Sequence, residues 1–181
     1  RSSTRSSRGS GTPVASPGSE TPRQRAFALD GRTPAVAVPT TPADVIIREA
    51  EESDLRTVVG IERASFGQPW PYTAFERFLD EDGFLVAVRD GPVVGYVVGD
   101  VTPNFGRDVG HVKDLAVAPD ARRRGIGRSL LVRSLVVLAG EGADLVKLEV
   151  RESNDPARSL YLDLGFEPAR RVPRYYRDGE D

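Results

Sequence analysis

The residues with the clearest chemical potential form the cationic, glycine-rich segment RRRGIGRSLL, which begins at Arg122. Its three arginines precede Gly125 and Gly127, and an apolar helical pattern starts at Ile126. A helix N-terminus presents unpaired N–H groups and the positive end of the helix dipole. Glycine lets a ligand approach the backbone because it has no Cβ. The segment therefore predicts an anion site, and proteins commonly hold phosphate in this way.

Two common phosphate motifs do not fit this segment. A P-loop needs Gly-Lys-Ser/Thr, and the dinucleotide fingerprint needs a third glycine with an acidic residue about 20 positions later. The pattern Arg-X-X-Gly-X-Gly by itself also fits a helix that merely begins with Arg and Gly. Its surroundings must decide between these interpretations.

Length and composition limit the class of protein. The chain has 181 residues, a net charge of −2 and no Cys, so one ordinary domain is expected without disulfides, a thiolate nucleophile or Cys-bound zinc. Residues 1–43 carry six Arg against Glu20 and Asp30, a net +4, so the basic excess lies in a tail and argues against a nucleic-acid-binding domain. No apolar run approaches the roughly 20 residues of a membrane span, and no signal-peptide core is present, so we expect a cytoplasmic protein.

The chain divides at residue 44. Residues 1–43 are rich in Ser, Thr, Pro, Gly and Arg, which predicts a disordered or flexible extension. Residues 44–181 form the predicted domain. Strands are predicted at 44–50, 84–90, 93–102, 111–119, 145–150 and 166–176, and helices at 53–66, 72–80, 126–139 and 154–165. This order indicates an α/β domain with a mixed central sheet flanked by helices.

Several of these motifs, in this order, resemble the GNAT superfamily of acetyl-CoA-dependent N-acetyltransferases. They are HVKDLAVAPDA, RRRGIGRSLL, LVKLEVRESN and PARSLYLDLGF, and the likeness covers nearly all of residues 44–181. The segments LEVRESN, LYLDLGF and YYRDGED are similar to the RimI-type and Ard1-type protein N-terminal acetyltransferases, which include ribosomal-protein-alanine N-acetyltransferases. The resemblance implies the GNAT fold and acetyl transfer to the N-terminal α-amine of nascent or ribosomal proteins, by direct attack in a ternary complex.

The resemblance also implies where acetyl-CoA binds. Backbone groups of three strand residues are expected to hold the thioester carbonyl and pantetheine: Leu115, Ala116 and Val117. The following turn is expected to hold the pyrophosphate with Arg123, Arg124, Gly125, Ile126, Gly127 and Arg128. Asn154 matches a position near the cofactor sulfur and equally fits an N-cap of its helix. No metal is expected, because one His and scattered carboxylates do not make a site.

Two residues match the catalytic groups of the family. Glu149 matches the general base, although an ordinary solvent-facing strand carboxylate would also fit. Gln68 lies where Ard1-type relatives carry a functional Glu, and an amide cannot act as a base. Tyr161 matches the acid that protonates the departing sulfur, and a core aromatic is the alternative. His111, the only His, fits a second base or a strand-end residue, and we favour the strand-end interpretation.

Two segments are expected to bind the peptide substrate. Trp70 and Tyr72 belong to FGQPWPYTAF, which matches the wall of the peptide groove in the family. Tyr175 and Tyr176 match the tyrosine pair that holds the peptide backbone, and packing is their alternative role. We expect a monomer whose partners are protein or peptide N-termini, without membrane or nucleic acid.

The chain departs from the family pattern at its end. Relatives continue past DGED into a last strand that inserts between the fifth and sixth, whereas this sequence ends at Asp181. We therefore expect a fragment, or a sheet that lacks this strand and has an unpaired gap. Two other functions stay open: a GNAT acetyltransferase of a small amine or lysine side chain, and a non-catalytic acetyl-CoA-binding module.

Overall fold

A single mixed sheet organises the protein. The computed structural model describes residues 25–30, 41–104 and 106–171. Its strands are β1 (Arg25–Asp30), β2 (Val45–Glu49), β3 (Phe84–Arg89), β4 (Val93–Thr102), β5 (Val109–Val117), β6 (Leu145–Val150) and β7 (Glu167–Arg171); its α-helices are α1 (Leu55–Ser65), α2 (Tyr72–Glu76), α3 (Ile126–Gly140) and α4 (Asp155–Asp163). The strand order is β2-β3-β4-β5-β6-β1-β7, and only the β5–β6 pair is parallel. The predicted α/β class with a mixed central sheet is confirmed.

Helices cover both faces of the sheet and pack on its apolar side chains. On one face, Leu55 and Val58 of α1 and Phe75 of α2 pack against strand residues that include Tyr96. On the other face, apolar residues of α3 and α4 pack against the outward-turned residues of the same strands, with Leu130 at 0% exposure. The sheet is therefore covered on both sides, and its functional groups must lie where strands separate.

A β-bulge interrupts β5 at such a place. Val98 pairs with Asp114 while the next residue, Gly99, pairs with Val112, so Lys113 is an extra residue in β5. Bulges bend a strand and increase its local twist. The parallel pairing of β5 with β6 ends at the Val112–Leu148 pair, just before the bulge. Beyond this point the two strands diverge.

Strand β1 corrects the prediction that residues 1–43 lie outside the fold. Residues 25–30 pair antiparallel with β6 on one side and β7 on the other. Phe27 is 1% exposed, and its ring lies 6.0 Å from that of Tyr161. β1 therefore fills the position between the fifth and sixth predicted strands, where we expected a gap. The segment RAFALD is only six residues long and lies within a stretch rich in Ser, Thr, Pro, Gly and Arg, which hides it in the sequence, and its two neighbouring strands supply the backbone partners.

No helix in the described ranges combines the length and apolarity that a membrane span requires.

Candidate active site

A cavity of about 1010 Å³ opens where β5 and β6 diverge. Residues from Val112 to Val117 line it from β5, and Leu148 to Val150 line it from β6. β4 pairs with β5 as far as the Gly95–Val117 pair, so one side of β5 is paired while the other faces the cleft. Backbone amides at such an edge can bind an extended ligand in the manner of an added strand.

The N-terminus of α3 closes one end of the cavity. Gly125 is the N-cap with a φ of 81°, and Arg123 also has a left-handed φ of 58°. These two residues turn the chain so that the first N–H groups of a 15-residue helix lie at the cavity. Ile126 is 1% exposed, so its backbone rather than its side chain is available to a ligand. Gly127 lies in the first turn and lines the same cavity.

The arginines of this turn differ in their contacts. Arg123, Arg124 and Arg128 line the cavity, and Arg128 lies 3.7 Å from a carboxylate oxygen of Asp163. Arg122 also lines the cavity, but it donates to the Val117 carbonyl and to Ser65 Oγ, both at 2.9 Å. Arg122 thus links α1 to the end of β5. The cationic, N–H-rich end of the cavity suits the phosphates of coenzyme A.

Two of the backbone groups predicted to face the cofactor have partners within the protein. The Leu115 N–H donates to Asp114 Oδ1 at 2.9 Å, and the Val117 carbonyl accepts from Arg122. A ligand acceptor that binds the Leu115 N–H would have to replace the Asp114 carboxylate. The Val117 carbonyl can accept from a ligand donor as well as from Arg122, because its oxygen has a second lone pair. Ala116 lies between them and is buried against the α1 side of the sheet.

Glu149 borders the cavity and pairs with His111. Its neighbours in β6 are buried, while the Glu149 side chain is 27% exposed on the opposite face. Glu149 Oε2 lies 2.8 Å from His111 Nε2. His111 lies inside β5 rather than at a strand end, so our interpretation of its position was wrong. A carboxylate beside an imidazole can accept, hold and pass on a proton.

Tyr161 lies on α4, on the same face of the sheet as α3, and it lines the cavity. It is 7% exposed, and its ring packs between those of Phe27 and Phe166, at 6.0 and 5.9 Å. Burial raises the pKa of the Tyr161 phenol, and the Asp114 carboxylate raises it further. The hydroxyl therefore keeps its proton at neutral pH and can donate it.

Asn154 combines the two roles considered for it. It is the N-cap of α4, where its side-chain oxygen accepts from the Ala157 N–H at 3.2 Å, and it also lines the cavity.

Of the residues predicted to bind peptide, Trp70 and Tyr72 are described, and neither of them lines the cavity. A further part of the cavity wall consists of Ser65, Phe66, Gly67 and Gln68, which we call the wall loop. Trp70 is half-buried beside Phe75 and Phe78, at ring distances of 5.6 and 6.0 Å, and Tyr72 packs against the same core. Tyr175 and Tyr176 lie outside the described residues. Peptide binding by these four residues therefore stays a prediction.

Sequence reasoning missed the Glu149–His111 pair, the buried Asp114 and Ser65 of the wall loop, whereas Phe66, Gly67 and Gln68 belong to the segment predicted as a wall. The residues of the pair are 38 positions apart, so only the register of β5 against β6 could have revealed it. Within the described ranges, no three His, Asp or Glu side chains are grouped as metal ligands.

Comparisons with known proteins point to one family. Residues 52–166 match the model of the acetyltransferase (GNAT) family. An N-alpha-acetyltransferase of Sulfurisphaera tokodaii is 38% identical over 146 residues, which cover 75% of this chain and 87% of the relative. Ard1 from Thermoplasma volcanium is 28% identical with a TM-score of 0.69, covering 76% of this chain and 92% of that one. The ribosomal-protein-S18-alanine N-acetyltransferase from Escherichia coli is 29% identical with a TM-score of 0.66, covering 75% and 87%.

Proposed function

Because this chain belongs to the acetyltransferase (GNAT) family and is an acetyltransferase, we propose that it acetylates the N-terminal α-amine of proteins from acetyl-CoA. Relatives named for N-alpha-acetylation and for ribosomal-protein-alanine acetylation support this substrate class, with ribosomal proteins among the candidates. The observation that carries the proposal is the cleft between β5 and β6. It joins an anion-binding helix N-terminus to Glu149 and Tyr161.

The residues of the cleft fit acetyl-CoA along its length. Its phosphates would contact the N–H groups at Gly125 to Gly127 and the side chains of Arg123, Arg124 and Arg128. Its amide-bearing arm would follow Leu115 to Val117, and Asn154 would lie near its sulfur. The bound thioester supplies the acetyl group. These assignments agree with the cavity lining, which contains every residue named here.

The acceptor amine needs a proton acceptor. An α-amine has a pKa near 8, so a useful fraction is neutral at pH 7. As the C–N bond forms, Glu149 would take the proton that the amine loses, directly or through one water. His111, 2.8 Å from Glu149, would orient the carboxylate and pass the proton towards solvent.

The leaving sulfur needs a proton donor. The Tyr161 hydroxyl would give its proton to the sulfur as the C–S bond breaks, and it would recover one from solvent afterwards. Burial, which raises the pKa of this phenol, keeps the donor protonated before each turnover. The chain has no Cys to carry an acyl-enzyme, so we propose direct attack in a ternary complex.

Coenzyme A release with acetyl-CoA and short peptides tests the proposal. The peptides should differ at their first two residues, and each should be paired with the same peptide blocked at its N-terminus. Turnover that disappears on blocking supports α-amine transfer. Turnover that persists on a blocked peptide containing Lys, or that occurs only with small amines, would assign a different acceptor. Binding of acetyl-CoA without turnover would indicate a non-catalytic module.

Variants then separate the assigned roles. Glu149→Gln should lower kcat and flatten the rise of rate with pH, because an amide accepts no proton at these pH values. Tyr161→Phe should lower kcat with little change in acetyl-CoA affinity. An unchanged pH profile in Glu149→Gln would remove Glu149 as the base.

A further inference from the structure

Glu62 is a buried carboxylate that the proposed chemistry does not use. It lies in the last turn of α1, is 0% exposed, and is absent from the cavity lining. Burying a charged carboxylate is costly unless hydrogen bonds compensate for the lost water. A chain that keeps such a group therefore gains something from its contacts.

The contacts of Glu62 converge on one loop. Its Oε1 accepts from the Trp70 backbone N–H at 2.7 Å. Its Oε2 accepts from the hydroxyl of Tyr96, a fully buried residue of β4. Its backbone carbonyl accepts from the Phe66 N–H at 2.9 Å. The carboxylate thus holds the Trp70 end of the segment 66–70, and Tyr96 fixes this carboxylate to the sheet, while the Phe66 end is held by the last backbone bond of α1.

The segment held in this way includes most of the wall loop. Phe66 to Gln68 face the cavity, and Arg122 ties the preceding Ser65 to the Val117 carbonyl. The Trp70 ring, stacked on Phe78, sits just beyond the wall. The wall and Glu149 line the same cavity, so a displacement of the wall would change the space beside the proposed base.

We propose that Glu62 is a positioning residue whose carboxylate, through the Trp70 N–H, sets the wall loop against which the acceptor peptide lies. The role in peptide binding rests on the proposed function, whereas the role in holding the loop does not. Glu62 acts through the loop and contacts neither substrate.

Trp70 makes the loop directly observable, because it is the sole tryptophan of the chain. Its emission wavelength and its quenching by acrylamide report the packing of the segment just after the wall loop, where its ring lies against Phe75 and Phe78. Glu62→Ala should shift the emission to longer wavelength and raise the quenching constant about twofold, as the half-buried indole becomes more exposed. Glu62→Gln should resemble the wild type, because its amide oxygen can accept from Trp70 N–H while its NH2 donates to the Tyr96 oxygen.

Asp54→Asn is the matched control for damage to α1. Asp54 is also a buried carboxylate, placed just before α1, where it binds Arg48 and the Glu51 N–H. Asp54→Asn should lower the melting temperature without changing Trp70 emission or quenching. Glu62→Ala with wild-type quenching, or Glu62→Gln as damaging as Glu62→Ala, would overturn the proposal.

Kinetics test the consequence for substrate binding. In Glu62→Ala the KM for peptide should rise about tenfold, as expected for the loss of a hydrogen bond to a charged group, with the KM for acetyl-CoA unchanged. An equal rise in both KM values would refute a role confined to the wall. If wild-type protein acetylates no peptide, the proposed function fails while the quenching result still decides the role of Glu62.

Tyr96→Phe keeps the test decisive if Glu62→Ala does not fold. This variant retains the ring and removes only the hydroxyl that fixes the carboxylate. It should raise Trp70 quenching in the same direction as Glu62→Ala, by a smaller factor. Unchanged quenching in Tyr96→Phe would contradict the proposed link between the sheet and the loop.

Discussion

Replacing Gly127 with Ala tests the phosphate site without straining the fold. Gly127 is the second residue of α3 and does not have a left-handed φ. A Cβ at this position would meet only Val117 Cγ2 within 4 Å, at an ordinary contact distance of 3.6 Å. Gly125 is less suitable, because its φ of 81° makes any substitution costly whether or not a ligand binds.

The expected effects of Gly127→Ala on stability and on affinity have opposite signs. Ala is favoured over Gly by about 0.8–1.0 kcal/mol within a helix, and we expect about half of this in the first turn. The melting temperature of the free protein should therefore rise by about 1–2 °C. The added methyl group would occupy space in the cavity beside the first N–H groups of α3. If it displaces the phosphates from one of these donors, affinity for acetyl-CoA falls about tenfold, equivalent to about 1.4 kcal/mol.

Calorimetric titration with acetyl-CoA and thermal unfolding with and without ligand would measure both effects. Gly60→Ala is the matched control, since Gly60 lies in the middle of α1 with no atom within 4 Å of a Cβ. It should raise the melting temperature by about 2–4 °C and leave affinity unchanged. Wild-type affinity in Gly127→Ala would refute the assignment of the phosphates to this turn.

Three further predictions concern packing and protonation. Phe27→Ala should lower the free energy of unfolding by about 3–5 kcal/mol in urea denaturation, because its ring is buried against Tyr161. Leu162→Ala, at a side chain 50% exposed, should change it by less than about 0.5 kcal/mol, and equal effects would contradict the insertion of β1. The hydrogen-bonded Arg48 guanidinium holds the pKa of Asp54 below its ordinary value of 3.8, so this stabilisation is complete above that value and is lost as pH falls through the lower folded-state pKa. The difference in urea midpoint between wild type and Asp54→Asn should therefore be constant from about pH 6 to about pH 5 and shrink as the pH falls below 3.8. Burial raises the pKa of Tyr161, so kcat should show no alkaline loss from this group below about pH 10; an alkaline limb below that pH that Tyr161→Phe abolishes would contradict the raised pKa.

Local features of the fold could be predicted well. The turn between β3 and β4 follows from Asp90 and Gly91, which have φ values of 52° and 110° as a tight hairpin requires. The alternation of β6 placed Glu149 on the face opposite its buried neighbours. The glycine-rich start of α3 also followed from residue types alone. These features depend on residues close in the chain, whose conformational preferences and periodicity can be recognised in the sequence.

Other features of the fold depended on distant partners. β1 is only six residues long, and it is a strand because β6 and β7 pair with it on both sides. The bulge at Lys113 arises from the register between β4 and β5, and the cleft opens just beyond it. Neither a pairing partner nor a register is encoded in the local pattern of a single strand.

The candidate site divides in the same way. The sequence by itself determined which residues carry charge, which can donate protons and which glycines leave the backbone accessible to a ligand. It also determined in which elements Glu149, Tyr161 and Gly125 lie. Only the tertiary structure decided that Glu149 meets His111, that Phe27 packs on Tyr161, and that Glu62 accepts hydrogen bonds from Trp70 and Tyr96. The physical reason is that hydrogen bonds and burial act between atoms close in space, and strand register and helix packing bring these atoms together from distant parts of the chain.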